Sequence, residues 1–367
     1  MTAPLAGITV VDFSQFLAGP YASLRLLDLG ARVIKIENPQ GGDLCRRHYV
    51  SEVRTKGDSS LFHAINRGKE SIALDLKTPQ GLEDAKRLVA RADIVIQNFR
   101  PGVIERLGLD YDRARALRPG LIYGSVSGYG EDGPWADLPG QDLLAQARSG
   151  LMWLSGNADD GPVPVGLPVA DISAGACLAQ GLLAALFRQA RTGEGTHVQT
   201  SLLEALMDIQ FEFLGTWLRN GEQPPQRMTQ GSAHGYLAAP YGVYACATGH
   251  LALAMTPLER LMPLLGLAPD ARDPFRDRDA ICARIADRLH HRPAADWEEE
   301  LGRAGVWCAR VRTWDELRAG GGAIARQMLP PALPLRLDGQ RPHPASFGPT
   351  LNENESTLRA EFDLGGT

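Results

Sequence analysis

Short β-branched runs, turns marked by Gly or Pro, and helical stretches alternate from residue 1 to about residue 130, and few architectures accept that order. Strands are expected at Ile8–Asp12, Arg32–Glu37, Ser71–Leu76, Ile94–Asn98 and Leu121–Ser127, with helices at Tyr21–Leu29, Pro79–Ala92 and Asp112–Leu117. Such units wind into a parallel sheet with helices on both faces, a large doubly wound, Rossmann-like α/β domain. Sheets of this kind bind ligands beyond the carboxyl ends of their strands. The segments to inspect are therefore Phe13–Pro20, Asn38–Arg47, Lys77, Asn98–Arg106 and Gly128–Pro134.

Beyond Asp142 the pattern turns mostly helical, through the Ala-rich run Ala174–Arg191 and the amphipathic run Leu202–Leu218. Gly221–Gly235 is polar and rich in Pro and Gly, which marks a linker or loop. Val243–Ala247 and Leu251–Ala254 flank Thr248-Gly249-His250, a hairpin signal, and helices follow near Leu258–Leu265, Asp279–His290 and Ala294–Ala304. Trp307–Val311 reads as a further strand, so this part is a smaller α+β domain. Gly320–Gly322 reads as a hinge and the Pro-rich Leu329–Phe347 as an extended return to the first domain. The division expected is 1–192 for the large domain, 193–225 for a linker helix region, 226–320 for the small domain and 321–367 for a linker and return. A chain of 367 residues suits two cores better than one.

Charge narrows the partners. A formal net charge of -5 leaves no global positive field for a polyanion, so nucleic acid is not expected. Five cysteines, none spaced as CxxC, fit neither a disulfide framework nor a zinc ribbon, and point to a reducing, cytoplasmic setting. The first residues lack the features of a secretory signal. The apolar stretch Ala170–Phe187 is interrupted by Asp171, Ser173 and Gln180, which suits a buried helix and not a membrane span.

Several motifs can be weighed and set aside. Gly128-Tyr-Gly130-Glu-Asp-Gly133 matches GxGxxG after an expected strand, but Pro134 and Pro139 follow where a helix should open, and no acid lies near the required spacing. No P-loop, no G-x-S-x-G elbow and no metal-ligand spacing occurs, and the adjacent His290 and His291 read as solvated. Asp171 stands where an extended Gly166–Val169 meets the Ala-rich helix. An Asp there commonly serves as N-cap, and the helix dipole would also keep its carboxylate ionised for use as a nucleophile. Both roles are open. Lys77, Arg100 and Arg106 follow expected strands, where they either meet phosphates or remain solvated surface.

Taken together, the segments Leu5–Phe13, Ala18-Gly-Pro20, Gly30–Glu37 with Gly42-Asp43, Asn66–Lys77, Ala92–Phe99 with Pro101-Gly102, Ser127–Pro134 and Pro168–Asp171 resemble the class III CoA-transferase family. Ala239–Tyr244 and Trp297–Val311 match more loosely. The resemblance implies the fold of that family and a homodimer of interlocked chains, with sites formed by the large domain of one copy and the small domain of the other. It implies acyl-CoA and a small carboxylic acid as substrates, with coenzyme A passing as substrate and product and no permanently bound cofactor. Neither metal nor ATP is needed when an anhydride conserves the thioester's energy.

By the same resemblance Asp171 is the nucleophile, forming an aspartyl anhydride and then an aspartyl-CoA thioester. The oxyanions would be met by a mobile glycine-containing loop, here Gly231-Ser232-Ala233-His234-Gly235-Tyr236. Phe16, Leu17 and Ala18 would contact the thiol end of CoA. Asn38, Leu74, Lys77, Asn98, Phe99, Arg106 and Leu107 would contact its nucleotide portion. Formyl-CoA transferase has Gln in place of Leu17 and Arg in place of Asn38. Gln141 and Asp142 would lie in the substrate pocket. Racemases of the family have His where this chain has Gln141, and Gln cannot exchange protons near neutral pH. A racemase or isomerase, or a non-catalytic CoA-binding homologue, is the alternative reading.

Overall fold

A computed structural model describes residues 3–47, 52–319, 333–340 and 347–365. The chain divides into two compact units, one made of Met1–Ala145, Pro168–Ile209 and Gln327–Thr367, the other of Gln146–Leu167 and Gln210–Arg326.

The first unit opens with Thr9–Asp12 (β1), Ala18–Asp28 (α1) and Arg32–Glu37 (β2). A small hairpin of Arg54–Thr55 (β3) and Asp58–Ser59 (β4) and the helix Ser60–Ile65 (α2) follow. Then come Glu70–Ala73 (β5), Pro79–Ala90 (α3), Ile94–Gln97 (β6), Val103–Leu107 (α4), Tyr111–Leu117 (α5) and Ile122–Ser127 (β7). Asp142–Arg148 (α6), of which only Asp142–Ala145 belong to this unit, Val169–Thr192 (α7), Thr196–Ser201 (β8) and Leu202–Ile209 (α8) complete the series. Six strands pair in parallel in the order β5-β2-β1-β6-β7-β8. The inner strands are buried on both faces, so they read as continuous Val and Ile runs such as Val10-Val11 and Ile94-Val95-Ile96. The order in which strands are added reverses between β1 and β6, and both strands deliver loops to the same carboxyl edge.

Two expectations are corrected here. The stretch after Asp142 is not only helical, because Thr196–Ser201 pairs with β7 as the outermost strand. Its polar sequence THVQTS is mostly half-buried, so it carries no apolar run by which a strand could be recognised. Helix α1 starts at Ala18, earlier than expected, since Pro20 in a first turn forfeits no helical hydrogen bond.

Helix α7 is long and apolar enough to cross a membrane, with a mean hydropathy of 1.6 over its most apolar stretch. It packs against α1, β7, β8 and α8. The C-terminal segment returns to the sheet's other edge. Asn354 Oδ1 accepts from Ser71 N–H at 2.9 Å and Asn352 Oδ1 from Ala73 N–H at 2.8 Å, and the Asn354 N–H donates to the Ser71 carbonyl at 3.0 Å. Leu358 and Phe362 of the helix Glu355–Phe362 then enter the core with Leu74, Leu88 and Val89. Gly320–Gly322 and most of Leu329–Phe347 lie outside the described residues.

The second unit contains Phe211–Trp217 (α9), Gly242–Ala245 (β9), His250–Leu253 (β10), Leu258–Leu264 (α10), Arg278–Leu289 (α11), Ala294–Arg303 (α12), Cys308–Arg310 (β11) and Trp314–Ala319 (α13). β9 and β10 form the expected antiparallel hairpin, and β11 adds to it in the order β11-β10-β9. Its core gathers on Trp297, fully buried, whose indole N–H donates to the Leu289 carbonyl at 3.0 Å.

Candidate active site

The loop after β1 is set by a buried charge cluster. Asp12 ends β1 with no exposure, and its Oδ1 accepts from the Ser14 amide at 2.9 Å, while Oδ2 accepts from Ser23 Oγ at 2.5 Å and Lys69 Nζ at 3.1 Å. Burial alone would push this carboxyl up, but the charges of Lys69 and Lys35 and the hydroxyls of Ser14 and Ser23 outweigh it and hold it at about 2. Lys35 Nζ donates to the Ser14 carbonyl at 2.7 Å and pairs with Asp43 at 2.8 Å. Asp43 Oδ1 in turn accepts from Phe16 N–H at 3.2 Å. Phe16 is thereby held at a φ of 62°, a left-handed conformation unusual for a bulky residue. None of this network was visible from local sequence patterns, because its members come from β1, β2, the loop after β2, and Lys69 just before β5.

The other positions expected to contact CoA lie on the segments that follow β1, β2, β5 and β6. Phe16 is exposed, while Leu17 and Ala18 are buried at the start of α1. Asn98, just past β6, accepts from Gln15 N–H and donates to the Gln15 carbonyl, both at 2.8 Å. It braces the loops on either side of the switch point. Phe99 is anchored by Gln97 Oε1, which accepts from its N–H at 2.8 Å. Asn38 follows β2 in an exposed turn, where its Oδ1 accepts from Gln40 N–H at 2.8 Å. Leu74 is buried past β5, Lys77 is exposed ahead of α3, and Arg106 and Leu107 close α4. Lys77, Arg100 and Arg106 are exposed and form no ion pair among the described residues.

Asp171 is the third residue of α7. It does not cap its helix, contrary to expectation. The cap is supplied from 29 residues earlier in the chain, by Asp142 Oδ1, which accepts from Ala170 N–H at 2.6 Å and Asp171 N–H at 3.3 Å. Asp171 is not kept ionised by the helix end either. Burial first, and then the charge of Asp142, push its carboxyl up to about 7.

The position of α7 is fixed by close backbone approach. A Cβ on Gly175 would lie 2.5 Å from the Ala18 carbonyl oxygen, so only glycine lets α7 meet α1 this closely. Asp171 stands one turn ahead of Gly175 on the same face, and Ile172 packs on the cluster of Leu17, Cys45, Phe62 and Ile65.

The loop that matched GxGxxG has a structural role here. Gly128 and Gly140 approach so closely that a Cβ on either would fall within 2.6 Å of the other's Cα, and Tyr129 Oη donates to the Pro139 carbonyl at 3.2 Å. This contact presents Gln141, which is exposed, and Asp142, which is half-buried. A glycine pair thus sets the turn that carries the cap of the Asp171 helix.

In the second unit the Gly231–Tyr236 loop is tied at several points. Gly231 accepts from Val243 N–H at 3.0 Å. Ser232 N–H donates to Asn157 Oδ1 at 3.2 Å, and Ser232 Oγ accepts from Met228 N–H at 3.0 Å. The His234 ring lies 4.4 Å from that of Phe213, and its Nδ1 accepts from Tyr236 N–H at 3.1 Å. Gly235 is buried against Pro225. Among the described residues no group of three or more His, Cys, Asp and Glu side chains could hold a metal ion.

A sequence profile described as CoA-transferase family III matches residues 5–353. A succinate–glutarate CoA-transferase of Agrobacterium fabrum is 41% identical over 74% of this chain and 68% of its own length. An acetyl-CoA:oxalate CoA-transferase of Acetobacter aceti is 34% identical over 98% of this chain and 96% of its own. Among solved structures, a CAIB/BAIF family protein from Brucella suis is 33% identical and superposes with a TM-score of 0.87, covering 99% of this chain and 100% of that one.

Proposed function

The chain belongs to CoA-transferase family III and is an acyl-CoA:carboxylate CoA-transferase, and from that premise we propose that Asp171 carries the CoA group covalently. The observation behind this reading is the placement of Asp171 by Gly175. It fixes the helix that carries the half-buried Asp171 against α1, which follows the loop after β1 at the sheet edge where ligands of this fold bind.

In the proposed sequence an Asp171 oxygen attacks the acyl-CoA carbonyl, the C–S bond breaks, and CoA leaves as thiolate. The thiolate attacks the Asp171 carbonyl of the resulting anhydride. Its C–O bond breaks, the donor acid leaves as carboxylate, and an aspartyl-CoA thioester remains. The acceptor carboxylate attacks that thioester to give a second anhydride, and the thiolate then attacks the acceptor's carbonyl carbon, restoring Asp171 and releasing the new acyl-CoA. No step requires a net proton transfer, so a single carboxylate suffices as nucleophile. Each addition develops an oxyanion, which we assign to N–H groups of the Gly231–Tyr236 loop.

Lys77 and Arg106, exposed and without an ion pair among the described residues, are assigned to phosphates of CoA, with Phe16, Leu17 and Ala18 near the thiol. The matched relatives act, by their names, on succinate, glutarate and oxalate, and we assign a small dicarboxylic acid as acceptor. Phe187, Met207 and Ile209 expose apolar surface on α7 and α8, which supports a homodimer in which the loop of one copy serves the aspartate of the other. Gln141, at the place where racemases have His, argues against proton exchange at an acyl α-carbon.

Intact-mass measurement after incubation with acyl-CoA is expected to show a CoA-sized adduct on the wild type and none on Asp171→Ala. A wild type without adduct, or an Asp171→Ala variant with unchanged rate, would sink the covalent reading. Deuterium uptake at the acyl α-carbon without an acceptor acid would favour the isomerase instead.

A further inference from the structure

One side chain organises the loop to which the oxyanions are assigned. Arg278 opens α11 and is 8% exposed, and its guanidinium is directed at backbone carbonyls instead of a hydrogen-bonded carboxylate. Nη2 donates to the Gln226 carbonyl at 2.7 Å. Nη1 faces the carbonyls of Leu237 at 3.2 Å and of His234 and Gly235 at 3.4 Å each. The one acidic group paired with it among the described residues is Asp279, 3.8 Å from Nε.

The geometry of the peptide unit turns this grip into a statement about donors. In a trans peptide the C=O and N–H point in opposite directions. Drawing the carbonyls of His234 and Gly235 towards Arg278 therefore turns the N–H groups of Gly235 and Tyr236 away from it. The Tyr236 N–H is taken up by His234 Nδ1. The Gly235 N–H has no partner among the described residues, although Gly235 itself is buried. Backbone N–H groups of buried residues are nearly always paired in folded proteins, and one left unpaired on the loop assigned to the oxyanions has an evident use.

We propose that Arg278 is a positioning residue for CoA transfer, fixing the 234–235 peptide so that the Gly235 N–H is presented to a developing oxyanion. This rests on the loop's assignment above. The guanidinium suits the task because its forked donors reach several carbonyls at once, which a lysine ammonium on a single tether does not reproduce. Its charge also aligns with the peptide dipole, so the positive end of that dipole faces the oxyanion. Gly235 admits no side chain here, since a Cβ would stand 2.6 Å from that of Pro225.

The test uses the full chain with Arg278→Lys and Arg278→Met, measuring kcat, KM for acyl-CoA, the rate of covalent adduct formation and thermal stability. Arg278→Met is expected to lower kcat about 100-fold, the low end of the loss seen when one oxyanion donor is removed, and Arg278→Lys about 10-fold, since an ammonium keeps part of the contact. KM for acyl-CoA should stay within about twofold, and adduct formation should slow in step with kcat. If Arg278→Met does not fold, Arg278→Lys alone decides. Wild-type kcat in a folded variant, or a loss confined to KM, overturns the assignment of Arg278 and leaves Asp171 untouched. A wild type that forms no adduct fails the covalent reading itself.

Discussion

Asp12 and Asp171 are two carboxylates withdrawn from water in the same unit, and their environments drive them apart. Asp12 is surrounded by Lys69, Lys35 and the hydroxyls of Ser14 and Ser23, and is held ionised down to about 2. Among the described residues Asp171 has no such cation, and it faces the like charge of Asp142, so its carboxyl is pushed up to about 7. Burial raises both. What separates them is the number of donors aimed at each. Asp12 is fully engaged in bonds that shape the loop after β1, whereas Asp171 retains lone pairs for chemistry.

Three substitutions probe this contrast, in decreasing order of effect. Asp12→Asn should destabilise the protein by about 3–5 kcal/mol, because Lys69 is left buried without its countercharge. Chemical denaturation measures it, and a loss below about 1 kcal/mol would mean that the cluster relaxes or hydrates. Asp171→Asn should act the other way, stabilising by about 1–2 kcal/mol at pH 8 while abolishing adduct formation.

The sign follows from linkage. Asp171 binds its proton more tightly in the folded protein, where its value is about 7, than in an unfolded chain near 3.8. The carboxyl's stabilising contribution is therefore greatest below the unfolded value and is lost as pH rises through about 7. The advantage of Asn should accordingly shrink between pH 8 and pH 4, and a gain independent of pH would break the comparison. Asp142→Asn should have the smallest effect. An amide oxygen can still cap α7, but the like charge is gone, so the rise of kcat/KM with pH, centred near 7, should move down by less than about one unit, since burial is the larger cause. A midpoint that does not move would remove Asp142 from the electrostatics of the site.

The sheet was legible because parallel strands buried on both faces leave unmistakable Val and Ile runs, and β1, β2, β6 and β7 stand within a residue or two of where those runs predict them. β8 was not, because an outer strand built from Thr, His and Gln has no such run. Asp171 was singled out in the sequence by its place between the extended Gly166–Val169 and the Ala-rich helix and by the resemblance. Its capping was misread for a physical reason. Local pattern favours the nearest Asp, but the group that reaches the helix end is Asp142, brought there by the Gly128–Gly140 contact. Arg278 was invisible for a related cause: its partners are main-chain carbonyls, and their convergence depends on backbone path and not on residue type.

Asn352 and Asn354, bonded to the outer side of β5, bear on how the sheet is protected. Ser71 and Asn354 are separated by 283 residues, and until the latter is in place the amides of Ser71 and Ala73 are an open seam. A nascent chain with its first five parallel strands already synthesised would still offer that seam to any passing extended segment. The helix Glu355–Phe362 and the two asparagines ahead of it act as a stopper on that seam, so a chain cut before Asn352 would show its effect first as self-association and only later, if at all, in catalysis.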